Sequence, residues 1–385
     1  MKSAFNSQYP SVDHLRDKAR KRIPGFAFEY LDGGANELIN LRKNTDDIRK
    51  VELAANYLDD FTKVDLSTEL FGHTYAAPYG IAPIGLQGLI WPNSPEILAR
   101  TAIRYNIPFI LSTVSTASIE TIAKITEGKA WFQLYHPARQ ELTDDILKRA
   151  EEAGFEVLVI LADVPSFGYR ALDIKNGLSM PPKMSLRNML QITANPGWAL
   201  NTLRHGQPSF KTLKPYMSDN LNLSQLGKFM DDTFSGRLNK ERIARLRDKW
   251  KGKLVLKGIG AAEDVGKAIE YGLDGVIVSN HGGRQLDAGP SSIKVLNHSV
   301  GKYKNKITIM MDSGIRTGPD IASVMAEGAE FTFLGRTFMY GVAALGNSGG
   351  DHVVEMLNKQ LTQVLDQVGC DTPKRLPKFL LKEHF

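Results

Sequence analysis

Gly275-Val276-Ile277-Val278-Ser279-Asn280-His281-Gly282-Gly283-Arg284-Gln285-Leu286-Asp287 reads as a strand that empties into a working loop. The first four residues form a short apolar run, long enough for a buried strand and too short for a helix. The glycine pair then holds a histidine and an arginine three residues apart on one tight loop. An imidazole accepts a proton near neutral pH, and a guanidinium clamps a carboxylate through two parallel hydrogen bonds. The pairing points to an enzyme that deprotonates a small organic acid. Alone, such a histidine reads as a satisfied polar turn, so the rest of the chain has to decide.

Outward from this run, seven more of the same kind recur: Tyr79-Ala82, Ile107-Leu111, Ala130-Leu134, Val157-Ala162, Lys253-Leu256, Ile307-Met311 and Phe331-Leu334. Helical patterns separate most of them, at Glu96–Tyr105, Ser118–Glu127, Asp144–Ala153, Ala262–Tyr271 and Pro319–Glu327, with Gly154, Gly272 and Gly328 as stop signals. A doubly wound open sheet shows the same alternation. The count of eight selects an α/β fold of the (β/α)8 TIM-barrel type. The reading treats residues 1–385 as one domain. Residues 1–75 form an N-terminal helical segment (helices at Ser11–Arg22 and Pro24–Leu31), 76–350 the barrel, and 351–385 a C-terminal helix and tail. A long basic insertion at 175–240 separates strands four and five.

The bulk numbers fit a globular enzyme. Hydrophobic residues make up 42% and charged residues 23% of the chain, enough for a large core. Cys370 is the sole cysteine, which excludes an internal disulfide, a redox pair and a multi-cysteine metal site. Neither a signal peptide nor an apolar run of about 20 residues is evident, so a cytoplasmic location is expected. The net charge of +6 is concentrated in one place. Between Lys175 and Met230, the basic residues Lys175, Lys183, Arg187, Arg204, Lys211, Lys214 and Lys228 face one acid, Asp219.

A barrel of this type builds its active site at the C-terminal ends of its strands. The residues just past the runs are Pro83-Ile84-Gly85, Ser112, Gln133 with Tyr135, Asp163, Lys257, Asn280-His281, Asp312 to Arg316, and Gly335-Arg336. Any one of them reads as a solvated loop residue, but a full rim of hydrogen-bonding groups reads as a site. Gly314, Arg316, Gly335 and Arg336 follow the last two strands, where barrels commonly hold phosphate. No G-x-G-x-x-G follows an early strand and no Walker loop is present, which disfavours a nicotinamide or nucleotidase site.

At these motifs the sequence resembles the FMN-dependent (S)-2-hydroxy-acid oxidases and dehydrogenases. The resemblance rests on Phe28-Glu29-Tyr30-Leu31-Asp32-Gly33-Gly34-Ala35, Trp131-Phe132-Gln133-Leu134-Tyr135, Ser279 to Asp287 and Asp312-Ser313-Gly314-Ile315-Arg316, and it runs from about Tyr9 to Gly350. The insertion and Leu89-Ile90-Trp91-Pro92 look most like the membrane-associated mandelate and lactate dehydrogenases of that family. The resemblance implies His281 as the base and Asp163 as the group that stabilises its imidazolium. Arg170, Arg284 and Tyr30 would hold the substrate carboxylate, and Tyr135 would bond the hydroxyl oxygen as it becomes a carbonyl. FMN is the implied cofactor. Ser112 and Gln133 would bond its ring, with Pro83 and Ile84 along its edge and Lys257 beside N1 and O2. Arg316, Gly335 and Arg336 would grip its phosphate, and Ser279, Asp312 and Gly314 would complete the cofactor site. A homotetramer is implied by the same analogy.

Against the plant oxidases of the family, Gly85 stands for alanine and Val114 for tryptophan, which enlarges the substrate space toward acids such as mandelate. Ser313 stands for glycine and offers one more hydroxyl to the flavin. The basic insertion interleaves Met184, Leu186, Met189, Leu190, Trp198, Leu200 and Leu203 with its charges, as an element lying on an anionic membrane does. The resulting reading is a peripheral enzyme on the inner face of the cytoplasmic membrane that passes electrons to a quinone. The alternatives are an oxidase that uses O2, an FMN barrel isomerase of a phosphorylated substrate, and a catalytically inactive binding module. Nucleic acid is disfavoured because no recognition motif accompanies the charge.

Overall fold

The computed structural model describes residues 3–58, 60, 63–178, 185–217, 229, 233–234 and 236–381. Eight parallel strands form the barrel wall: β3 (Tyr79–Ile81), β4 (Ile110–Ser112), β5 (Trp131–Leu134), β6 (Val157–Leu161), β7 (Lys253–Ile259), β8 (Gly275–Val278), β9 (Thr308–Met311) and β10 (Phe331–Leu334). Their order around the wall is β3-β10-β9-β8-β7-β6-β5-β4, and a parallel bridge between Ile81 and Phe109 nearly closes the ring. The eight apolar runs are these eight strands.

The sequence-read helices are present within a few residues of their expected ends. Gly154, Gly272 and Gly328 each follow a helix with φ of 83, 71 and 99°, the left-handed conformation that ends a helix most cheaply in glycine. Ser118 caps the helix Ile119–Thr126, and Thr317 with Asp320 forms a capping box on Gly318–Ala326.

The N-terminal segment departs from the all-helical expectation. After the helices Val12–Arg22, Gly25–Asp32 and Ile39–Ile48, the chain makes a hairpin of β1 (Thr68–Leu70) and β2 (His73–Tyr75). Phe71 and Gly72 turn it with φ of 51 and 83°, both positive as a tight hairpin turn requires. Leu70 and Tyr75 of this hairpin pack with Trp131, Val157, Val255, Ile277, Met310 and Phe331 inside the barrel. The Tyr75 hydroxyl accepts a hydrogen bond from Trp131 Nε1 at 3.3 Å. The hairpin therefore plugs the base of the barrel, at the strand starts.

In the insertion between β6 and β7, short helices run at Ala171–Lys175, Leu186–Thr193 and Pro196–His205. Lys183, Met184, Asp219, Lys228 and Met230, named in the sequence reading, lie outside the described residues. Trp198 corrects that reading. It is buried, and its Nε1 donates to the carbonyls of Leu89 and Ile90, both at 3.1 Å, so it anchors the insertion rather than facing outward. Leu186, Met189, Leu190, Leu200 and Leu203 are exposed, Leu203 by 80%.

Candidate active site

A cavity of about 480 Å³ opens at the C-terminal ends of the strands, within the usual size of a small-molecule site. Its lining includes Tyr30, Pro83, Ile84, Ser112, Gln133, Tyr135, Arg170, Lys257, His281, Arg284, Asp312, Gly314, Arg316, Gly335 and Arg336. Of the candidate residues, Asp163 and Ser279 are absent from the lining, but each is bonded to a residue that belongs to it, Asp163 to His281 and Ser279 to Lys257.

His281 brings two titratable groups of the site together. Its Nδ1 lies 3.2 and 3.3 Å from the two Asp163 oxygens, and its Nε2 lies 3.4 Å from the Tyr135 hydroxyl. Burial lowers the imidazole's proton affinity and Asp163 raises it, while Lys257 and Arg170 add to the lowering. The net effect is downward, so His281 is neutral and able to accept a proton at neutral pH. Burial also works against the Asp163 charge, but His281 and Lys257 outweigh it and hold the carboxyl below its ordinary range. Burial keeps the Tyr135 phenol well above its ordinary value, so it remains an O–H donor.

Asp163 can stand this close because of a glycine. In β7 the register shifts between Lys257 and Ile259, and Gly258 has φ of 97°. A Cβ there would sit 2.6 Å from Asp163 Cγ. The irregularity leaves room for the carboxylate behind His281, while neighbouring Lys257 lines the cavity. Lys257 is buried, with Nζ 3.0 Å from Asp312 Oδ2 and 2.8 Å from Ser279 Oγ. Burial opposes its charge, but Asp312 and Asp163 more than offset this and hold the ammonium above its ordinary value.

Two arginines face the cavity beside His281. The Arg284 Nη2 donates to the carbonyls of Tyr30 and Leu31 at 2.9 and 2.8 Å, and its guanidinium lies over the Tyr30 ring. Arg170 Nη1 lies 3.4 Å from Asp173, while its Nε is buried without a protein partner. Asp173 was not singled out in the sequence, nor was Phe210 of the insertion, yet both line the cavity. No strand end or motif marks either one; helix Ala171–Lys175 and the insertion bring them in.

The residues present fit FMN. Gln133 Oε1 accepts from Ser112 Oγ at 2.8 Å, which leaves its buried Nε2 without a protein partner, a donor suited to a ring carbonyl. Lys257, Arg316 and Arg336 add fixed positive charge, and Arg336 is driven down first by burial and then by Arg284 and Arg316. That mutual repulsion calls for an anion such as phosphate. Arg336 also donates to the carbonyls of Leu31, Gly33 and Gly282, so part of its guanidinium already braces the backbone. Gly85 and Val114 both line the cavity, and a Cβ on Gly85 would sit 2.8 Å from Val114 Cγ2. Ser313 differs from its expectation. Its hydroxyl is engaged by Asp312, Asn280 and Gly282 rather than offered freely to the cavity.

Comparison with known proteins agrees with this geometry. The FMN-dependent dehydrogenase family model matches residues 19–383. (S)-mandelate dehydrogenase of Pseudomonas putida is 37% identical over 376 residues, 97% of this chain and 94% of that protein. An L-lactate dehydrogenase of Vibrio parahaemolyticus is 36% identical over 363 residues, 94% of this chain and 95% of its own length. The crystal structure of a monotopic membrane protein, (S)-mandelate dehydrogenase, superposes with a TM-score of 0.92 at 36% identity, covering 98% of this chain and all of that one. A (β/α)8 barrel with a positively charged cavity, matched along nearly its whole length, places this chain in the family of FMN-dependent dehydrogenases.

Proposed function

We propose that the protein oxidises an (S)-2-hydroxy acid of the lactate or mandelate type to the 2-oxo acid. The observation that carries this reading is the convergence of His281, Tyr135, Arg170 and Arg284 on one cavity. Arg170 and Arg284 hold the carboxylate, with Tyr30 beside them, which fixes the hydroxyl-bearing carbon within reach of His281. His281 Nε2 takes a proton from the substrate, and Asp163 stabilises the resulting imidazolium. The Tyr135 O–H bonds the substrate oxygen as it becomes a carbonyl. When bound, FMN supplies the two-electron acceptor. Gly85 and Val114 are small lining residues that suit a bulky substrate side chain, although a Val114 methyl already fills the place a Gly85 Cβ would take.

The electron acceptor in this reading is a membrane quinone. Exposed Leu186, Met189, Leu190, Leu200 and Leu203, with Arg187 and Arg204 among them, suit the headgroup layer of an anionic bilayer. Each basic side chain contributes about 1 kcal/mol near such a surface. Attachment to the inner face of the cytoplasmic membrane follows, and a homotetramer is the expected assembly. Among the described residues no helix is long and apolar enough to cross a membrane.

The test is anaerobic mixing of the FMN-loaded protein with (S)-mandelate and (S)-lactate, followed by a soluble quinone or air. Bleaching by one acid and recovery with quinone alone is the expected result. Rapid recovery in air would make the protein an oxidase, and no bleaching by either acid would remove the substrate assignment. Co-sedimentation with anionic liposomes at low salt checks the membrane surface, which would be wrong if the protein stayed in the supernatant.

A further inference from the structure

The loop that carries His281 holds an unusual backbone. His281, Gly282 and Gly283 have φ of 59, 66 and 74° in succession. Glycine takes such angles freely, but histidine does so at a cost of about 1–2 kcal/mol. Facing this loop after β9, Ser313 also has a positive φ, 76°.

Three successive amides of the histidine loop are captured by two serine hydroxyls. Asn280 N and Gly282 N donate to Ser313 Oγ at 3.3 and 2.9 Å, and His281 N donates to Ser279 Oγ at 3.1 Å. Neither hydroxyl ends the chain of contacts. Ser313 Oγ donates to Asp312 Oδ1 at 2.8 Å, and Ser279 Oγ accepts from Lys257 Nζ at 2.8 Å. Lys257 and Asp312 are themselves paired at 3.0 Å. The bonds form a closed circuit between an ion pair on the cavity wall and the backbone of the base.

We propose that Ser313 is a positioning residue that couples the Lys257–Asp312 pair to the His281 loop, so that charge at the cavity wall and placement of the base are set together. A hydroxyl that donates to a carboxylate is polarised into a stronger acceptor, which tightens its hold on the two amides. Glycine would suit the backbone at this position better, so what serine adds is its hydroxyl. The proposal rests on the reading of His281 as the base. The charged and titratable groups that face His281 are Asp163, Tyr135, Lys257, Arg170 and Arg284, and a change at Ser313 leaves all of them in place.

The test uses Ser313→Gly and Ser313→Ala in the full-length protein, with and without FMN. Glycine relieves the backbone, so a merely structural serine predicts equal or higher thermal stability and unaltered chemistry. Coupling predicts that amide hydrogen exchange at Asn280 and Gly282 rises about tenfold in both variants, while Val276–Val278 of β8 stay protected. It also predicts a fall of roughly tenfold in kcat, with KM nearly constant and the acid limb of the pH profile displaced. Wild-type exchange and wild-type kcat in both variants would overturn the proposal. If the wild-type flavin is not reduced by any 2-hydroxy acid, the base assignment fails, and the exchange measurement alone then decides the coupling.

Discussion

His281 Nδ1 lies 3.2 Å from Asp163 Oδ1, so the carboxylate fixes which ring nitrogen carries the proton and turns Nε2 toward the cavity. Replacing Asp163 by Asn keeps the shape and removes the charge. The expected loss in kcat is roughly 10²–10⁴-fold, the usual worth of a positioned acid–base group. Asp163 raises the His281 proton affinity, so its loss moves the acid limb of kcat/KM to still lower pH. Steady-state kinetics across pH 4.5–8 would check both; an unchanged limb would separate Asp163 from the base.

Arg170 has a buried Nε without a protein partner, whereas Arg284 also braces Tyr30 and Leu31. Arg170→Met is therefore the cleaner probe of carboxylate binding. A lost charged hydrogen bond costs about 1.5–3 kcal/mol, a drop of roughly 10–150-fold in kcat/KM. Most of it should appear in KM. A neutral amide analogue of the substrate should be nearly indifferent to the change, and equal losses for acid and amide would place Arg170 elsewhere.

Lys257→Met strands Asp312 as a buried carboxylate without its cation. Breaking a buried pair from one side destabilises by about 3–5 kcal/mol. The melting temperature of the FMN-free protein should fall, and Lys257→Met combined with Asp312→Asn should recover part of that fall. No recovery in the double variant would mean that the pair is not the source of the loss.

His136 is a second histidine with a displaced equilibrium, and it lies outside the proposed chemistry. Burial, then the charge of Arg242, pushes its imidazole down to about 4, against a backbone hydrogen bond at Gly236. A depressed folded-state value means that the unfolded chain binds the proton more readily. Stability is therefore complete above the ordinary imidazole value and falls as pH drops from there toward 4. Between pH 7 and 5 the loss from this group should be roughly 2 kcal/mol. Denaturant titrations of wild type and His136→Gln at both pH values measure it, and parallel pH slopes in the two proteins would refute the assignment.

The barrel was legible because each strand is a brief apolar run and three of the intervening helices are followed by left-handed glycines, Gly154, Gly272 and Gly328. The rim was legible because strand ends are where such a fold presents polar groups. Helix Ile39–Ile48 was not. Its sequence, Ile-Asn-Leu-Arg-Lys-Asn-Thr-Asp-Asp-Ile, looks solvated, yet Asn40, Asn44 and Asp47 are buried. Asn280 Nδ2 donates to Asn40 Oδ1 at 2.6 Å and to Asn44 Oδ1 at 2.7 Å, so the helix uses polar groups to hold the histidine loop. Apolar periodicity cannot report a face that is buried through hydrogen bonds. The hairpin was missed because its strands, Thr-Glu-Leu and His-Thr-Tyr, hold no apolar run. Trp198 was misread because exposure is decided by the carbonyls of Leu89 and Ile90, which lie far away in sequence.

That hairpin governs traffic. With Leu70 and Tyr75 packed into the barrel base, the strand-start end is filled, and the cavity lies at the other end, where the strands finish. An acid and an electron acceptor that need the same doorway must take turns. On the proposed function, with both using the strand-end cavity, the oxidised product has to leave before the acceptor comes in, and double-reciprocal plots against the two substrates should run as parallel lines.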